Sequence, residues 1–162
     1  MKIKFMVILF LSVLSCKAQE ETPIVFSEAA LNDTFVTLEG TTTTFKAILE
    51  ANRGKMIVVD VWASWCSDCI KGMPKVNALQ KANPNATYIF LSLDKTQDAW
   101  KKGIKKYKVN GQNYFMQSGW KGSFGEFIKL DWIPRYMVMD ENGNIKLFKA
   151  IEADDENLKN TL

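Results

Sequence analysis

Two cysteines stand three residues apart in the segment Cys66-Ser67-Asp68-Cys69, and their spacing is the clearest sign of chemistry in this sequence. A disulfide across so short a loop adds little to stability, because it removes little chain entropy from the unfolded state. Zinc prefers four ligands, and the sequence has no histidine and no second Cys-x-x-Cys pair. The pair therefore indicates chemistry of the thiols themselves rather than a structural staple or a metal site.

The composition excludes several other kinds of chemistry. The absence of histidine removes His-based acid–base catalysis, His metal ligands and Ser-His-Asp or Cys-His machinery, which leaves Cys, carboxylates, Lys or Tyr. The 162 residues are 47% hydrophobic and 24% charged, which is typical of a single globular domain. A formal charge of +3 is too small to indicate a nucleic-acid partner.

The elements around the pair are expected to place Cys66 at the start of a helix. Residues 56–62 form an almost continuous apolar run, which predicts a strand buried on both faces. Residues 69–82 carry apolar side chains at helical spacing. The free N–H groups and the dipole at a helix N-terminus stabilise a thiolate, and Cys69 lies nearly one turn further along. The alternative is a pair of inert, buried thiols.

Asp60 interrupts the apolar strand that leads to the cysteines. An ionised carboxylate buried without a partner costs several kcal/mol, so packing alone does not explain this residue. One interpretation is a carboxyl with a raised pKa that takes the proton from Cys69. The other is an Asp at a strand end that is hydrated or bonded to backbone N–H groups.

Periodicity along the rest of the chain predicts one α/β domain with a parallel or mixed sheet and helices on each side. Helices are predicted at residues 44–52, 69–82 and 95–107, and strands at residues 24–26, 35–38, 56–62, 87–93, 135–140 and 145–149. The first two strands would form a leading hairpin, and Asn142-Gly143 would join the last two strands as another. Asp154 is predicted to cap a short final helix.

The N-terminal segment is predicted to direct export rather than to fold. Residues 1–15 combine two lysines with an apolar run that spans only roughly 15 Å as a helix, too short for a bilayer, so they predict a signal peptide. Cys16 follows directly, as in the lipobox of bacterial lipoproteins, and would be lipidated. Residues 16–23 would form a tether and residues 24–162 the folded domain. The alternative is an ordinary signal peptide with a chance cysteine.

Four features make the sequence similar to the thioredoxin superfamily, and within it to the TlpA-like (ResA-like) thiol–disulfide oxidoreductases. Asp60 lies six residues before the first cysteine of the pair, Trp65 directly precedes that cysteine, Pro74 lies eight residues after it, and Ile133-Pro134 directly precedes a strand. The resemblance covers roughly residues 24–162. It implies a thioredoxin-like three-layer α/β/α sandwich with a central mixed sheet, an N-terminal hairpin extension and an insertion before a cis-proline.

The resemblance also assigns roles to the site residues. It implies Cys66 as the nucleophile, Cys69 as the resolving cysteine, Asp60 as the proton acceptor and Pro134 as a cis-proline packed against the sulfurs. Substrate contacts are expected at Trp65, Ser67, Asp68 and Ile133, where the Ile133 backbone would pair with an extended client. The Cys66–Cys69 disulfide would be the redox group, with no bound cofactor and no metal.

Two local features bear on the direction of electron flow and on proton transfer. Asp68 would repel the Cys66 thiolate, which lowers the reduction potential and favours a reductant over an oxidant. The Lys that often accompanies the buried Asp in thioredoxins aligns with Phe90 here, which leaves Asp60 less neutralised.

The resemblance predicts an exported protein, lipid-anchored to a bacterial membrane and facing the periplasm or the cell exterior. Its partners would be client proteins with disulfides, a transmembrane thiol reductase as electron donor, and the membrane through the lipid on Cys16; nucleic acid is not expected. A non-catalytic binding module and a thiol peroxidase are the alternatives, although a peroxidase needs an Arg that the sequence near Cys66 lacks. Aromatic residues in the segment 108–132 would either line a client groove or form a satellite core.

Overall fold

The computed structural model describes residues 22–162, so the predicted signal peptide, Cys16 and most of the tether lie outside the described residues. The helices are α1 (Glu28–Leu31), α2 (Phe45–Ala51), α3 (Ser67–Ala82), α4 (Gln97–Tyr107), α5 (Ser123–Phe127) and α6 (Glu156–Thr161), with a 3₁₀ turn at Gly119–Lys121. The strands are β1 (Thr34–Val36), β2 (Thr42–Thr44), β3 (Ile57–Trp62), β4 (Thr87–Ser92), β5 (Gln112–Phe115), β6 (Arg135–Met139) and β7 (Ile145–Ala150). In this part of the chain, no helix has the length and apolar character needed to cross a bilayer.

The strands form one mixed sheet in the order β2-β1-β5-β4-β3-β6-β7. Strands β3, β4 and β5 run parallel to one another, whereas β6 pairs antiparallel with β3, and β1 pairs antiparallel with both β5 and β2. Every residue of β3 is buried, because the centre of the sheet is covered on both faces. The predicted three-layer α/β/α architecture with a mixed central sheet is confirmed.

Helix α3 lies over the face of the sheet that carries Asp60. Tyr88 and Tyr136 lie on the strands that flank β3, and Tyr136 is the direct cross-strand partner of Asp60. The Tyr88 hydroxyl donates a hydrogen bond of 3.1 Å to the carbonyl of Leu79 in α3. A Cβ atom at Gly72 of the same helix would lie 3.8 Å from the Tyr136 hydroxyl. The face with Asp60 therefore packs against the helix that begins at the cysteines.

The leading hairpin forms, but only one of its two predicted strands, residues 35–38, takes part, as β1. Residues 24–26 are not a strand, and Ile24 and Val25 are 69% and 58% exposed. This segment makes a backbone hydrogen bond from Ile145 N–H to the Ile24 carbonyl, while the ring of Phe26 packs among other aromatic rings. The hairpin consists of β1 and the threonine strand β2, because these two segments are close enough in sequence to pair across a tight turn.

Two further predictions were wrong in detail. The segment after α4 contains β5, which the sequence analysis missed and which pairs parallel with β4. The cap of the last helix is Asp155 rather than Asp154, because the Asp155 side chain accepts hydrogen bonds from the N–H groups of Asn157 and Leu158. Asp154 instead forms an ion pair of 2.9 Å with Lys75 of α3.

An aromatic cluster joins the segment before the cis-proline to the start of the domain. The rings of Phe124 and Phe127 in α5 contact those of Phe26, Phe35 and Phe45, with centroids 4.5 to 6.1 Å apart. These phenylalanines follow the satellite-core alternative, and their packing holds the inserted segment against the edge of the sheet.

A carboxylate supports the same connection. The Asp33 side chain accepts hydrogen bonds from the Ser118 hydroxyl at 2.9 Å and from the Phe124 N–H at 2.8 Å. Helix α5 has no side-chain cap of its own at Gly122, so Asp33 satisfies one of its free N–H groups from a distant part of the chain.

Candidate functional site

Cys66 and Cys69 form a disulfide at the N-terminus of α3, with their Cα atoms 5.3 Å apart. Cys66 is the N-cap residue, and its Sγ accepts a hydrogen bond of 3.1 Å from the Cys69 N–H. Cys66 is 6% exposed and Cys69 is 1% exposed, so Cys66 is the more accessible of the two. When the bond is reduced, the same N–H and the helix dipole are placed to stabilise a Cys66 thiolate.

The surroundings of Asp68 moderate its effect on that thiolate. Asp68 lies in the first turn of α3, where a carboxylate is favourable for the helix. Its side chain is 53% exposed and has Lys71 as a partner at 3.9 Å. Ser67 is exposed beside it. Water and Lys71 therefore screen the charge of Asp68, although it remains the acidic side chain next to both sulfurs in sequence.

Asp94 fixes the loop between β3 and the cysteines, and the sequence analysis missed it. Its buried carboxylate accepts hydrogen bonds from the Ser64 N–H at 3.1 Å, from the Ser64 hydroxyl at 2.6 Å and from the Ser92 hydroxyl at 2.9 Å. Ser64 and Asp94 each lie two residues after the end of a buried strand, β3 and β4, and the ends of parallel strands meet at one edge of a sheet. The position of both residues at the same sheet edge could therefore have predicted the contact between Asp94 and Ser64.

The peptide bond between Ile133 and Pro134 is cis, as the family resemblance predicts. The Ile133 carbonyl lies 3.6 Å from Cys66 Sγ, so the residue before the proline contacts the redox pair through its backbone. Ile133 is 5% exposed as a whole residue. This geometry places the backbone edge that a client would use directly beside the reactive sulfur.

Arg135 anchors the loop in front of the cis-proline, and the sequence analysis did not single it out. Its side chain is fully buried, and Nη1 donates a hydrogen bond of 2.7 Å to the Ile128 carbonyl. Nη2 contacts the Asp131 carboxylate, which also binds Lys149 Nζ at 2.9 Å. The sequence around a buried arginine does not indicate which groups its side chain will bind, because those groups come close to it only when the chain folds.

A groove lined by tryptophans opens above Cys66. This tryptophan groove is bordered by Trp65, Trp120, Trp132, Ile133 and Cys66 and encloses about 380 Å³. Trp65 and Trp132 are 53% and 55% exposed. Large apolar side chains exposed around a concave surface are typical of an interaction site. Trp120 and Trp132 thus border a groove beside Cys66, unlike the phenylalanines, which pack into the aromatic cluster.

Asp60 is buried beneath the pair, at 2% exposure. Burial raises the pKa of its carboxyl from 3.8 to about 8, and interaction with the Tyr136 hydroxyl offsets part of that rise. Neither carboxylate oxygen meets hydrogen-bond geometry with a partner among the described residues. Its partner on β4 is Phe90, the position where thioredoxins often have Lys. Asp60 therefore lies away from bulk solvent and accepts no hydrogen bond from a backbone N–H group among the described residues, which favours the interpretation of a carboxyl with a raised pKa.

The helix geometry relates Asp60 to Cys69. Cys69 and Gly72 are three residues apart in α3 and so lie on the same side of the helix. That side faces the sheet at Tyr136, the cross-strand partner of Asp60. Asp60 and Cys69 therefore lie on facing sides of the sheet and of helix α3, so the carboxyl is a candidate proton acceptor for the thiol.

No group of three or more His, Cys, Asp and Glu side chains in residues 22–162 is placed to hold a metal ion. What the arrangement offers is a dithiol that can open and close a disulfide at a helix N-terminus, beside an exposed groove. Such a site exchanges disulfides with another molecule through a mixed disulfide.

The comparisons agree with this chemistry. The model of the thioredoxin-like family matches residues 54–145. The thiol-disulfide oxidoreductase ResA of Bacillus thuringiensis subsp. konkukian (strain 97-27) is 28% identical over 131 residues, which cover 78% of this chain and 70% of ResA. A thioredoxin of Echinococcus granulosus is 35% identical over 55 residues, 34% of this chain and 48% of that relative, so the match spans about half its length.

Solved structures show the same fold. The thioredoxin domain of a thiol-disulfide oxidoreductase from Bacteroides vulgatus has a TM-score of 0.66 and 24% identity, covering 85% of this chain and 95% of that one. A thiol-disulfide oxidoreductase from Bacteroides fragilis has a TM-score of 0.67 and 21% identity, covering 83% of this chain and 100% of that one.

Fold and site together define a thioredoxin-fold protein with a redox-active cysteine pair. The chain belongs to the thioredoxin-like family. With Cys66 and Cys69 in disulfide geometry and relatives such as ResA, it is a thiol–disulfide oxidoreductase. The roles of the individual site residues are predictions, for which the structure gives the positions of the side chains.

Proposed function

We propose that this protein reduces disulfides of client proteins outside the cytoplasm, from a lipid anchor on Cys16. The observation that carries the proposal is the Cys66–Cys69 disulfide at the N-terminus of α3, with Cys66 bordering the tryptophan groove. In the proposed cycle this disulfide is the only redox group of the protein, and the cycle uses no bound cofactor and no metal.

The cycle has two thiol–disulfide exchanges. The Cys66 thiolate attacks one sulfur of the client disulfide, and the other client sulfur leaves as a thiolate. Cys69 then gives its proton to Asp60 and attacks Cys66 Sγ, so that the Cys66–Cys69 bond forms and the second client sulfur leaves. The client has gained two electrons and this protein has lost two.

The tryptophan groove and the cis-proline hold the client during the first exchange. Trp65 and Trp132 offer exposed apolar faces on both sides of Cys66, and the Ile133 backbone can pair with an extended segment. Ser67 and Asp68 border the client next to the attacked sulfur. Together these contacts would select exposed, extended segments of polypeptide that carry a disulfide.

Export and the direction of electron flow are supported by the sequence. The apolar run followed by Cys16 resembles a lipoprotein signal, which would put the folded domain on the periplasmic or outer side of a bacterial membrane. Exported compartments are oxidising, so the pair needs a donor, and a transmembrane thiol reductase would return two electrons to Cys66–Cys69. Asp68 disfavours the thiolate and so favours the reductant direction.

The first experiment measures activity and potential. Reduced protein is expected to reduce insulin, and Cys66→Ser is expected to abolish this, whereas a variant at the exposed Leu38, L38A, serves as the matched surface control. Equilibration with thiol–disulfide buffers is expected to give a potential near −270 mV; a value near −120 mV contradicts the reductant direction. Peroxide consumption without insulin reduction favours a peroxidase instead.

The second experiment finds the clients and the anchor. Cys69→Ser cannot resolve the mixed disulfide, so it is expected to trap clients on Cys66 in intact cells. Cys16→Ser is expected to release the protein from the membrane fraction. A Cys66→Ser strain that behaves as the wild type in every redox phenotype favours a binding module.

A further inference from the structure

A second cavity adjoins the tryptophan groove, and Asp68 and Trp132 border both. This α3 cavity, of about 420 Å³, is bordered by Gly72, Lys75, Pro134, Tyr136, Ile151 and Glu152. A water molecule takes about 30 Å³ in the liquid, so the cavity has room for several. It lies between helix α3, the start of β6 and the segment after β7.

Tyr136 connects this cavity to the buried carboxyl. Tyr136 is 2% exposed, borders the α3 cavity and is the cross-strand partner of Asp60. Asp60 does not border the cavity itself, and both its oxygens lack a hydrogen-bond partner of good geometry among the described residues. On the other side of Asp60 in the sheet, Phe90 offers no polar group. Tyr136 therefore pairs with Asp60 across the strands and also borders the cavity.

We infer that the Tyr136 hydroxyl relays the proton between Asp60 and water in the α3 cavity during each redox cycle. The inference rests on the proposed role of Asp60 and goes beyond it, because it names the path by which the buried carboxyl exchanges its proton with solvent. The relay lets Asp60 re-equilibrate its proton with solvent between attacks by Cys69.

The steps of the relay balance. When Cys69 attacks Cys66 Sγ, its proton moves to the Asp60 carboxylate, the protein disulfide forms and the client sulfur leaves with the electron pair. Protonated Asp60 then donates its proton to the Tyr136 oxygen while the phenol proton passes to a cavity water. That proton reaches solvent and is available to the client thiolate. When the protein is reduced again, the same path runs in reverse.

The charged groups around Tyr136 keep it neutral, as a relay requires. Burial, Asp60 and the carboxylates of Asp154 and Glu152 all raise the pKa of Tyr136 above its ordinary value. Lys75 of α3 pairs with both of those carboxylates, at 2.8 and 2.9 Å, at the edge of the cavity. A phenol that stays protonated can pass a proton on only by accepting another, so it exchanges protons without holding charge.

The test compares Tyr136→Phe with Tyr88→Phe in the full chain. Tyr88 lies on the same face of the sheet, but its hydroxyl donates to Leu79, far along α3 from the cysteines, so Y88F is a matched loss of one buried hydroxyl. Reduced protein is mixed with excess glutathione disulfide, and tryptophan fluorescence follows the limiting rate of the attack by Cys69. Tyr136→Phe is expected to slow that rate at least about tenfold at pH 7, and Tyr88→Phe to leave it within about twofold.

Two further readouts separate a relay from simple packing. The pH midpoint of the limiting rate is expected to rise in Tyr136→Phe, because Asp60 loses the interaction that lowers its pKa. Small buffer acids that enter the cavity are expected to restore part of the rate in Tyr136→Phe and to leave the wild type unchanged. In an Asp60→Asn background, Tyr136→Phe is expected to have no additional effect.

The outcomes distinguish the relay from the proposed function. If the wild type reduces no disulfide, the proposed function fails; if it does so and Tyr136→Phe matches Tyr88→Phe in rate and pH midpoint, only the relay is overturned. Should Tyr136→Phe fail to fold, Ile151→Trp fills the cavity from its exposed side with Tyr136 intact. That variant is expected to slow the limiting rate, and an unchanged rate overturns the relay.

Discussion

Replacing the buried carboxyl, with Asp60→Asn, should abolish a pH dependence of stability that the wild type shows near neutrality. In the unfolded chain Asp60 has its ordinary pKa near 3.8, whereas burial raises the pKa to about 8 in the folded protein. Between these values the folded state holds a proton that the unfolded state has released. Stability is therefore greatest below the unfolded pKa and falls as the pH rises through the folded pKa.

The size of the effect follows from the two pKa values. Each pH unit inside the window changes the free energy of unfolding by about 1.4 kcal/mol for one proton. Between pH 5 and pH 7 the wild type should therefore lose roughly 2.5 kcal/mol that Asp60→Asn retains. The slope is a better measure than the absolute stability, because a buried amide has a desolvation cost of its own.

The assay is urea unfolding of the oxidised protein at pH 5, 6 and 7. The disulfide keeps Cys66 and Cys69 from titrating, and the chain contains no histidine to titrate in this range. Asp140→Asn is the control: although desolvation opposes it, hydrogen bonds from Asn144 and Asn142 hold the pKa of Asp140 below its ordinary value, outside the window. A wild-type stability that is flat or rises from pH 5 to 7, or an equal slope in Asp60→Asn, would refute the reasoning.

Three other substitutions test what positions the site. Arg135→Met should lower the free energy of unfolding by about 1–3 kcal/mol, because buried carbonyls lose their hydrogen-bond donor. The same substitution should raise KM for insulin more than it lowers kcat. Kinetic parameters equal to those of the wild type contradict a positioning role for Arg135. Asp33→Ala should cost about 1–2 kcal/mol in urea unfolding through the lost bond to the Phe124 N–H, and no loss means that water replaces it. Gly72→Ala should raise the melting temperature, because alanine is more favourable than glycine inside a helix by roughly 1 kcal/mol. The new methyl group has room, since it would lie 3.8 Å from the Tyr136 hydroxyl, and a lower melting temperature would indicate a clash.

Much of the site followed from local sequence. The Cys-x-x-Cys spacing, the apolar run of β3 and the helical periodicity of α3 placed the cysteines at the start of a helix after a buried strand. Asp60 was recognisable because a carboxylate inside an apolar run has a cost that packing does not explain. Helix caps and strand runs depend on neighbours in sequence. Most bounds of the predicted helices and strands therefore lie within two residues of those in the structure.

The fold also contained elements that local patterns did not predict. Strand β5 and the partner of β1 escaped because short polar or threonine-rich strands depend on the edge they pair with. Ile24 and Val25 have strand-forming side chains, but no full ladder reaches them. In these cases pairing with a neighbouring strand, rather than propensity, selects the structure.

The sequence by itself determined the redox pair, the strand and helix that hold it, and the carboxyl on that strand, because these lie in one continuous segment, residues 57–82. Only the tertiary structure decided that Trp120 and Trp132 border the groove while Phe124 is buried, that Arg135 anchors the loop before Pro134, and that Tyr136 separates Asp60 from a cavity. These residues are far from the cysteines in sequence. Their neighbours are fixed by sheet register and helix packing, which are properties of the whole chain.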